Sequence, residues 1–263
     1  MIKKYGNWAL ITGASSGIGE EFAKRLAGEK LNLVLIARRE ERLKNLSIEL
    51  IVKYGIEIKI VAGDITESNT IEKIKEECAG LEIGILVNNA GFGSTGEFIK
   101  CDAEKEIRMT LLNCVAPVIL THHFLPLMAE RRRGAVIFLG SLVAFQPTPL
   151  MAAYSATKAF NLTLGEALWY EVKKYNIDVL ALNPGGTDTE FQRIAAMGIG
   201  PTPRTPQQVV ETALNALGRK PGAVDGIMNK SIAVLGRFLP RKWLITLAGI
   251  TAGKLYSASS KKV

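Results

Sequence analysis

A short apolar run at residues 7–12 breaks into Thr12-Gly13-Ala14-Ser15-Ser16-Gly17-Ile18-Gly19, and an amphipathic pattern begins at once over 17–29. No other feature restricts the chain as strongly. A strand that turns into a helix through three glycines gathers bare backbone amides at the helix's positive end, which makes a cradle for phosphate. Gly13 permits the sharp turn, Gly17 lets the amides of the Ser15, Ser16 and Ile18 stretch approach a pyrophosphate, and Gly19 allows the helix to pack close to the strand. The glycines are spaced by three residues and then one, not as G-x-G-x-x-G. A bare glycine loop can be purely structural, but after the first strand of a βα sheet it reads as a dinucleotide-binding turn.

The rest of the chain supplies that sheet. Apolar, β-branched-rich runs at 31–37, 56–62, 84–87, 134–140 and 177–182, with a weaker one at 222–227, read as buried strands. Between them, residues 17–29, 40–54, 68–79, 103–131, 152–175 and 206–217 repeat apolar side chains at helical spacing. The expected fold class is α/β: one doubly wound parallel sheet of about seven strands, a Rossmann arrangement with helices on both faces and ligands beyond the carboxyl ends of the strands. The 263 residues suit one such domain, over 1–230, followed by an amphipathic extension over 231–263. The Gly/Pro/Thr-rich stretch 184–206 reads as a long loop over the site.

At the tip of the second strand stands Ala37-Arg38-Arg39, with no carboxylate to take a ribose 2′-hydroxyl. Arginine there suits a 2′-phosphate, so NADP (NADPH) is the expected cofactor, with Arg38 the first contact and Arg39 the second. The alternative is a solvated helix entry, with Glu40 or Glu41 on a ribose hydroxyl. Asp64, followed by Ile65, could meet the adenine amino group or cap the next helix.

These residues resemble the short-chain dehydrogenases/reductases, over about residues 5–230. Asn88-Asn89-Ala90-Gly91 matches the stretch that, in that family, steadies the sheet centre and lines the adenosine side of the cofactor. Asn113, Ser141, Tyr154 and Lys158 match its catalytic set, and Pro184-Gly185 with Thr187 and Thr189 resembles its nicotinamide-carboxamide loop. The resemblance is to NADP-preferring types, among them the 3-oxoacyl and hydroxysteroid reductases. It implies that Lys158 also holds the nicotinamide ribose and that Asn113 seats a water leading from Lys158 to solvent.

The chemistry follows from residue types. A phenol near pKa 10 is a poor acid or base at neutral pH unless a cation adjoins it. Tyr154 and Lys158 are four apart on one helix and share a face. Tyr154 is expected to give a proton to the alkoxide formed as hydride reaches a carbonyl, with Ser141 as second donor. Alone, a Tyr/Lys pair is an ordinary helix-surface coincidence. The expected activity is thus an NADP(H)-dependent carbonyl reductase or alcohol dehydrogenase. The competing reading is a redox-sensing NADP(H)-binding protein acting through a partner, for which a proton donor would be superfluous.

Substrate contacts are expected from Leu142, Val143, Phe145 and Gln146, and from Phe191 and Ile194 with Ala195 and Met197. They are mostly apolar, which suits a hydrophobic carbonyl or secondary alcohol and equally suits a lid closing on the core. His122-His123 has no third ligand, so no metal is expected. Arg131-Arg132-Arg133 reads as a helix end.

The net charge of +8 is concentrated: residues 219–263 hold nine Lys or Arg against Asp225 alone, while the body is balanced. The body therefore shows no sign of nucleic-acid binding. In the tail, the longest apolar run, 243–252, is too short to span a bilayer, which needs about 20 residues. It would lie on an anionic membrane surface or dock on the body or a second subunit. Three unpatterned cysteines and no signal-like start point to a cytoplasmic setting with possible surface association. Apolar excess on 103–131 and 152–175 points to a homodimer or homotetramer.

Overall fold

The computed structural model describes residues 2–195 and 203–260, without the side chains of residues 193, 194, 255 and 257–260. Seven strands form one parallel sheet in the order β3-β2-β1-β4-β5-β6-β7. They are β1 (Trp8–Thr12), β2 (Asn32–Ala37), β3 (Ile58–Ala62), β4 (Ile83–Asn88), β5 (Gly134–Leu139), β6 (Ile177–Asn183) and β7 (Gly222–Val224). The expected strands are all present, within two residues at most ends; the weak seventh is the shortest.

Strand alternation sends Ala9, Ile11, Leu33 and Leu35 to one face and Trp8, Leu10, Val34 and Ile36 to the other. The first face packs on α1 (Gly17–Gly28), α2 (Glu40–Tyr54) and α8 (Pro206–Ala216), through Phe22, Leu26, Leu43, Leu50 and Val209. The second packs on α3 (Ser68–Glu77), α5 (Ala116–Arg131) and α6 (Ala152–Glu171). Burial on both faces is why the strands read as unbroken apolar runs. Residues 103–131 are long and apolar enough to cross a membrane by length and composition. Here Leu120, Phe124 and Met128 bury that segment's inner face against the sheet.

Three segments differ from expectation. The helix over 103–131 is α4 (Ala103–Thr110) and α5 joined by a π-helical turn, Leu111–Val115. Asn113 sits in that turn, and its carbonyl accepts from Asn161 Nδ2 at 2.8 Å, a bond from α6 that competes with regular helix geometry. The loop after β6 contains a short helix, α7 (Glu190–Ile194). The tail is helical, as α9 (Ile227–Leu235) and α10 (Arg241–Ser260), so the boundary expected at 230 falls inside α9. Arg131 and Arg132 donate to the carbonyls of Ile83 and Lys174, and Arg133 pairs with Glu82.

The order reverses between β1 and β4, opening a crevice at their carboxyl ends, and the glycine turn lies there. Gly13 and Gly17 adopt φ of +69° and +60°, the left-handed region. A Cβ on Gly19 would collide with the Gly13 carbonyl and the Asn89 side chain. In an ordinary helix, Gly→Ala gains about 1 kcal/mol. Gly19→Ala is instead expected to cost about 1–3 kcal/mol through overpacking, measured by urea unfolding.

Candidate active site

The crevice floor is stitched by side chains. The Thr12 hydroxyl accepts from the backbone amides of Asn89 and Ala90 at 3.0 and 2.9 Å, and Asn89 Nδ2 donates to the Thr12 carbonyl at 2.8 Å. Asn88 donates to Thr121 on α5. These bonds tie the ends of β1 and β4 together and so fix the crevice beyond them, with Ala90 and Gly91 on its wall.

A cavity of about 850 Å³ runs from this crevice across the top of the sheet. Gly13, Ser15, Ser16, Gly17, Ile18, Arg38, Arg39, Asp64, Ile65, Asn89, Ala90 and Gly91 border one end. Gly19 lies beneath, as packing spacer. Arg39 is aimed at the turn: Nε and Nη2 donate to Ser15 Oγ at 3.2 and 3.1 Å, and Nη2 to Ser16 Oγ at 2.7 Å. Arg38, placed first from the sequence, is exposed and shows no such bond. Asp64 does not cap α3, whose N-cap is Glu67; it turns the chain by accepting from the amide and hydroxyl of Thr66.

Midway, Ser141 at the end of β5 meets Tyr154 and Lys158 from the first turns of α6. Tyr154 and Ser141 border the same stretch of the cavity, and Lys158 Nζ lies 5.8 Å from the Tyr154 ring centroid. Lys158 Nζ donates to the Leu139 carbonyl at 2.8 Å. Burial pushes the Tyr154 phenol well above its usual range, against the smaller opposing influence of the Ser141 hydroxyl, and pushes Lys158 down to about 8. Sequence reasoning expected the ammonium to lower the phenol. In this site desolvation dominates, because both groups are fully enclosed.

Asn113 does not border the cavity. Its Nδ2 donates to the Phe92 carbonyl and the Thr157 hydroxyl, both at 3.0 Å, and its Oδ1 accepts from the Phe92 amide. It thus ties the loop after β4 to the turn of α6 that carries Lys158. Pro184, Gly185, Thr187 and Thr189 follow β6 along the opposite wall.

The far end carries Leu142, Val143, Gln146 and Phe191, the last with its ring 5.8 Å from that of Tyr154. Phe145 is a correction: it turns away, packing on the Ala144–Leu162 cluster with the Arg237 guanidinium 6.0 Å from its ring. Ile194 lies in α7 with its side chain outside the described residues, as is Met197 altogether; Ala195 is buried and its carbonyl accepts from Thr95.

Most of the mouth was not foreseen. Met228, Ile232 and Leu235 of α9, Leu239, and Leu244, Leu247 and Ala248 of α10 line it. Their apolar spacing was visible in the sequence, but nothing there said which surface they face. The loop beneath is pinned by Arg204, which donates to the fully buried Asp225 at 2.9 and 3.2 Å and bridges to Thr187.

The residues fit a dinucleotide: two positive-φ glycines expose the amides of a turn bordering the cavity, and the Arg39 guanidinium stands over its serines. Residues 7–197 match the family model described as short chain dehydrogenase. A 7beta-hydroxysteroid dehydrogenase of Mediterraneibacter gnavus is 34% identical over 87% of this chain and 89% of its own. A very-long-chain 3-oxoacyl-CoA reductase of Pyricularia oryzae is 35% identical over 82% of this chain and 66% of its own. The solved short-chain dehydrogenase of Sphingobium yanoikuyae in complex with NADPH superposes with a TM-score of 0.79 at 32% identity, covering 88% of this chain and 93% of that one. The chain belongs to the short-chain dehydrogenase/reductase family, and is an oxidoreductase acting on CH–OH groups.

Lys158 provides a check on the electrostatics. Its proton affinity is depressed in the folded state, so between about pH 8 and the ordinary lysine range near 10.4 the unfolded chain binds the extra proton and stability rises with pH. Relative to wild type, Lys158→Met should therefore be most stabilised below pH 8, with the difference shrinking toward pH 10.5 in urea-melt midpoints.

Proposed function

We propose that this enzyme interconverts a bulky lipophilic ketone and its secondary alcohol with NADP(H), Tyr154 passing the proton. The observation that carries the reading is that Ser141, Tyr154 and Lys158 come together on the wall of a cavity with a phosphate cradle at one end and an apolar mouth at the other. NADP(H), when bound, supplies or accepts the hydride. Ser15, Ser16, Gly17 and Ile18 would hold its phosphates, Arg39 with Arg38 the 2′-phosphate, and Thr187 and Thr189 the nicotinamide end.

Tyr154 is protonated at neutral pH, the state needed to donate to a developing alkoxide; burial makes it a weaker acid, the charge of Lys158 beside it favours release of the proton, and Ser141 would supply a second donor there. Lys158 keeps a cationic charge beside the phenol below about pH 8. Asn113 acts by placement, since its amide is committed to Phe92 and Thr157. The bulky substrate class rests on the apolar tail residues over the mouth and on the relatives named for steroid and long-chain substrates.

Tyr154→Phe should retain NADPH affinity while turnover vanishes, and Ser141→Ala should lower kcat by about 100- to 1,000-fold. Unimpaired turnover in Tyr154→Phe would sink the assignment. NADPH-oxidation assays should show steroid ketones or 3-oxoacyl thioesters reduced in preference to acetone, and NADPH preferred to NADH. Tight NADPH binding with no turnover on any carbonyl would favour the sensor reading.

We also place the enzyme in the cytoplasm as a homo-oligomer that touches anionic membrane through its tail. Exposed Ile107, Leu111, Val115 and Val118 support association through α4 and α5. In the tail, Ile227, Phe238, Trp243 and Ile250 face outward among Lys230, Arg237, Arg241 and Lys242, on surfaces not used by the cavity. The protein should float with phosphatidylglycerol vesicles at moderate salt and not with phosphatidylcholine vesicles; flotation with neither would remove the membrane contact.

A further inference from the structure

At the adenosine end the cavity contains an acid that no expectation included. Glu190, the first residue of α7, is held by two guanidiniums of the β2–α2 corner. Arg39 Nη1 donates to Glu190 Oε2 at 2.7 Å, and Arg42 Nη1 donates to Oε1 and Oε2 at 2.9 and 3.0 Å. The same Arg39 reaches Ser15 and Ser16 with its other nitrogens. Arg39 and Arg42 are three apart at the start of α2 and share a face, so together they form a fork for one anion. In this structure that anion is a carboxylate of the chain itself, from a loop separated from the fork by about 150 residues of sequence.

We propose that Glu190 is an internal competitor for the cofactor's 2′-phosphate. Its carboxylate occupies Arg39 and Arg42 until the phosphate replaces it, which adds Arg42 to the phosphate ligands and makes Glu190 a determinant of the NADP(H)-to-NAD(H) ratio. The proposal rests on the NADP(H) reading above. A phosphate oxyanion carries more charge than a carboxylate and presents more acceptor oxygens to two guanidiniums, so the exchange favours the phosphate, at the expense of breaking the existing pair. A nucleotide without the 2′-phosphate has nothing to offer the fork and leaves Glu190 in place.

The exchange is coupled to the site by sequence adjacency. Phe191, the next residue, packs against Tyr154. The loop's base is fixed independently by Arg204 on Asp225. Glu190 is thus the tie of α7 to the cofactor's adenosine side, and its release by phosphate alters the restraint on the element beside Tyr154. Both arginines and Glu190 keep partial solvent access, with side chains 40%, 48% and 29% exposed, so the tie is weak enough to be displaced.

The test uses 2′,5′-ADP and 5′-AMP as probes, titrated calorimetrically into wild-type protein and Glu190→Gln. The variant is expected to bind 2′,5′-ADP roughly three- to tenfold more tightly, with 5′-AMP affinity unchanged, the size expected for removing a solvent-exposed ion pair. Arg42→Ala should weaken 2′,5′-ADP and spare 5′-AMP. Hydrogen exchange at residues 189–195 should change in wild type on adding 2′,5′-ADP and not on adding 5′-AMP. Unchanged or weakened 2′,5′-ADP binding in Glu190→Gln would overturn the proposal, the weakened case marking Glu190 as a support that positions Arg39. Wild-type protein that binds both probes equally, with Glu190→Gln then favouring 2′,5′-ADP, would sink the NADP(H) preference while supporting the competition.

Discussion

The tie between the ends of β1 and β4, which sets the width of the crevice beyond them, is the constraint on which the molecule depends. Thr12, Asn89 and Ala90 make it through hydrogen bonds of 2.8 to 3.3 Å that also reach the glycine turn. A polar stitch in the middle of an apolar sheet is costly to leave half made, so it sets one geometry. The turn, the crevice and the directions of β5 and β6 all follow from that width. Ser141 and the Pro184 stretch leave the sheet on the far side of the same opening, which is why residues 130 positions apart line one cavity.

The Tyr154–Lys158 pair shows how burial changes an argument made from residue types. Four-residue spacing brings Lys158 to the side of Tyr154, as expected. Enclosure then works against both charged forms: the phenol is held protonated, and the lysine is brought down to about 8. The structure thus describes a neutral phenol near Ser141, beside a lysine whose charge is lost within the alkaline range. This electrostatic balance differs from a simple cation-lowered phenol.

What was legible in the sequence was chemistry of short range. Residues 12–19 and 154–158 each lie within a single turn, so spacing could point to them, and residues 88–91 were read from the family resemblance. Strands were legible because both sheet faces are covered. Phe145 was misplaced because its side chain packs on the Ala144–Leu162 cluster and beneath the Arg237 guanidinium, partners from other segments that spacing does not name. The π turn at Asn113 was invisible because it depends on Asn161 and Thr157 of another helix.

By itself, the sequence determined the class of fold, since local spacing and side-chain type suffice for that, and its glycine turn and family resemblance pointed to the candidate site residues. Tertiary structure decided which of two arginines reaches over the serines, that Glu190 and Arg42 join them, and that the tail's apolar stripe faces the cavity mouth. Those outcomes rest on contacts between segments far apart in the chain. Their partners are chosen by how the helices pack on the sheet, which periodicity along one segment does not encode.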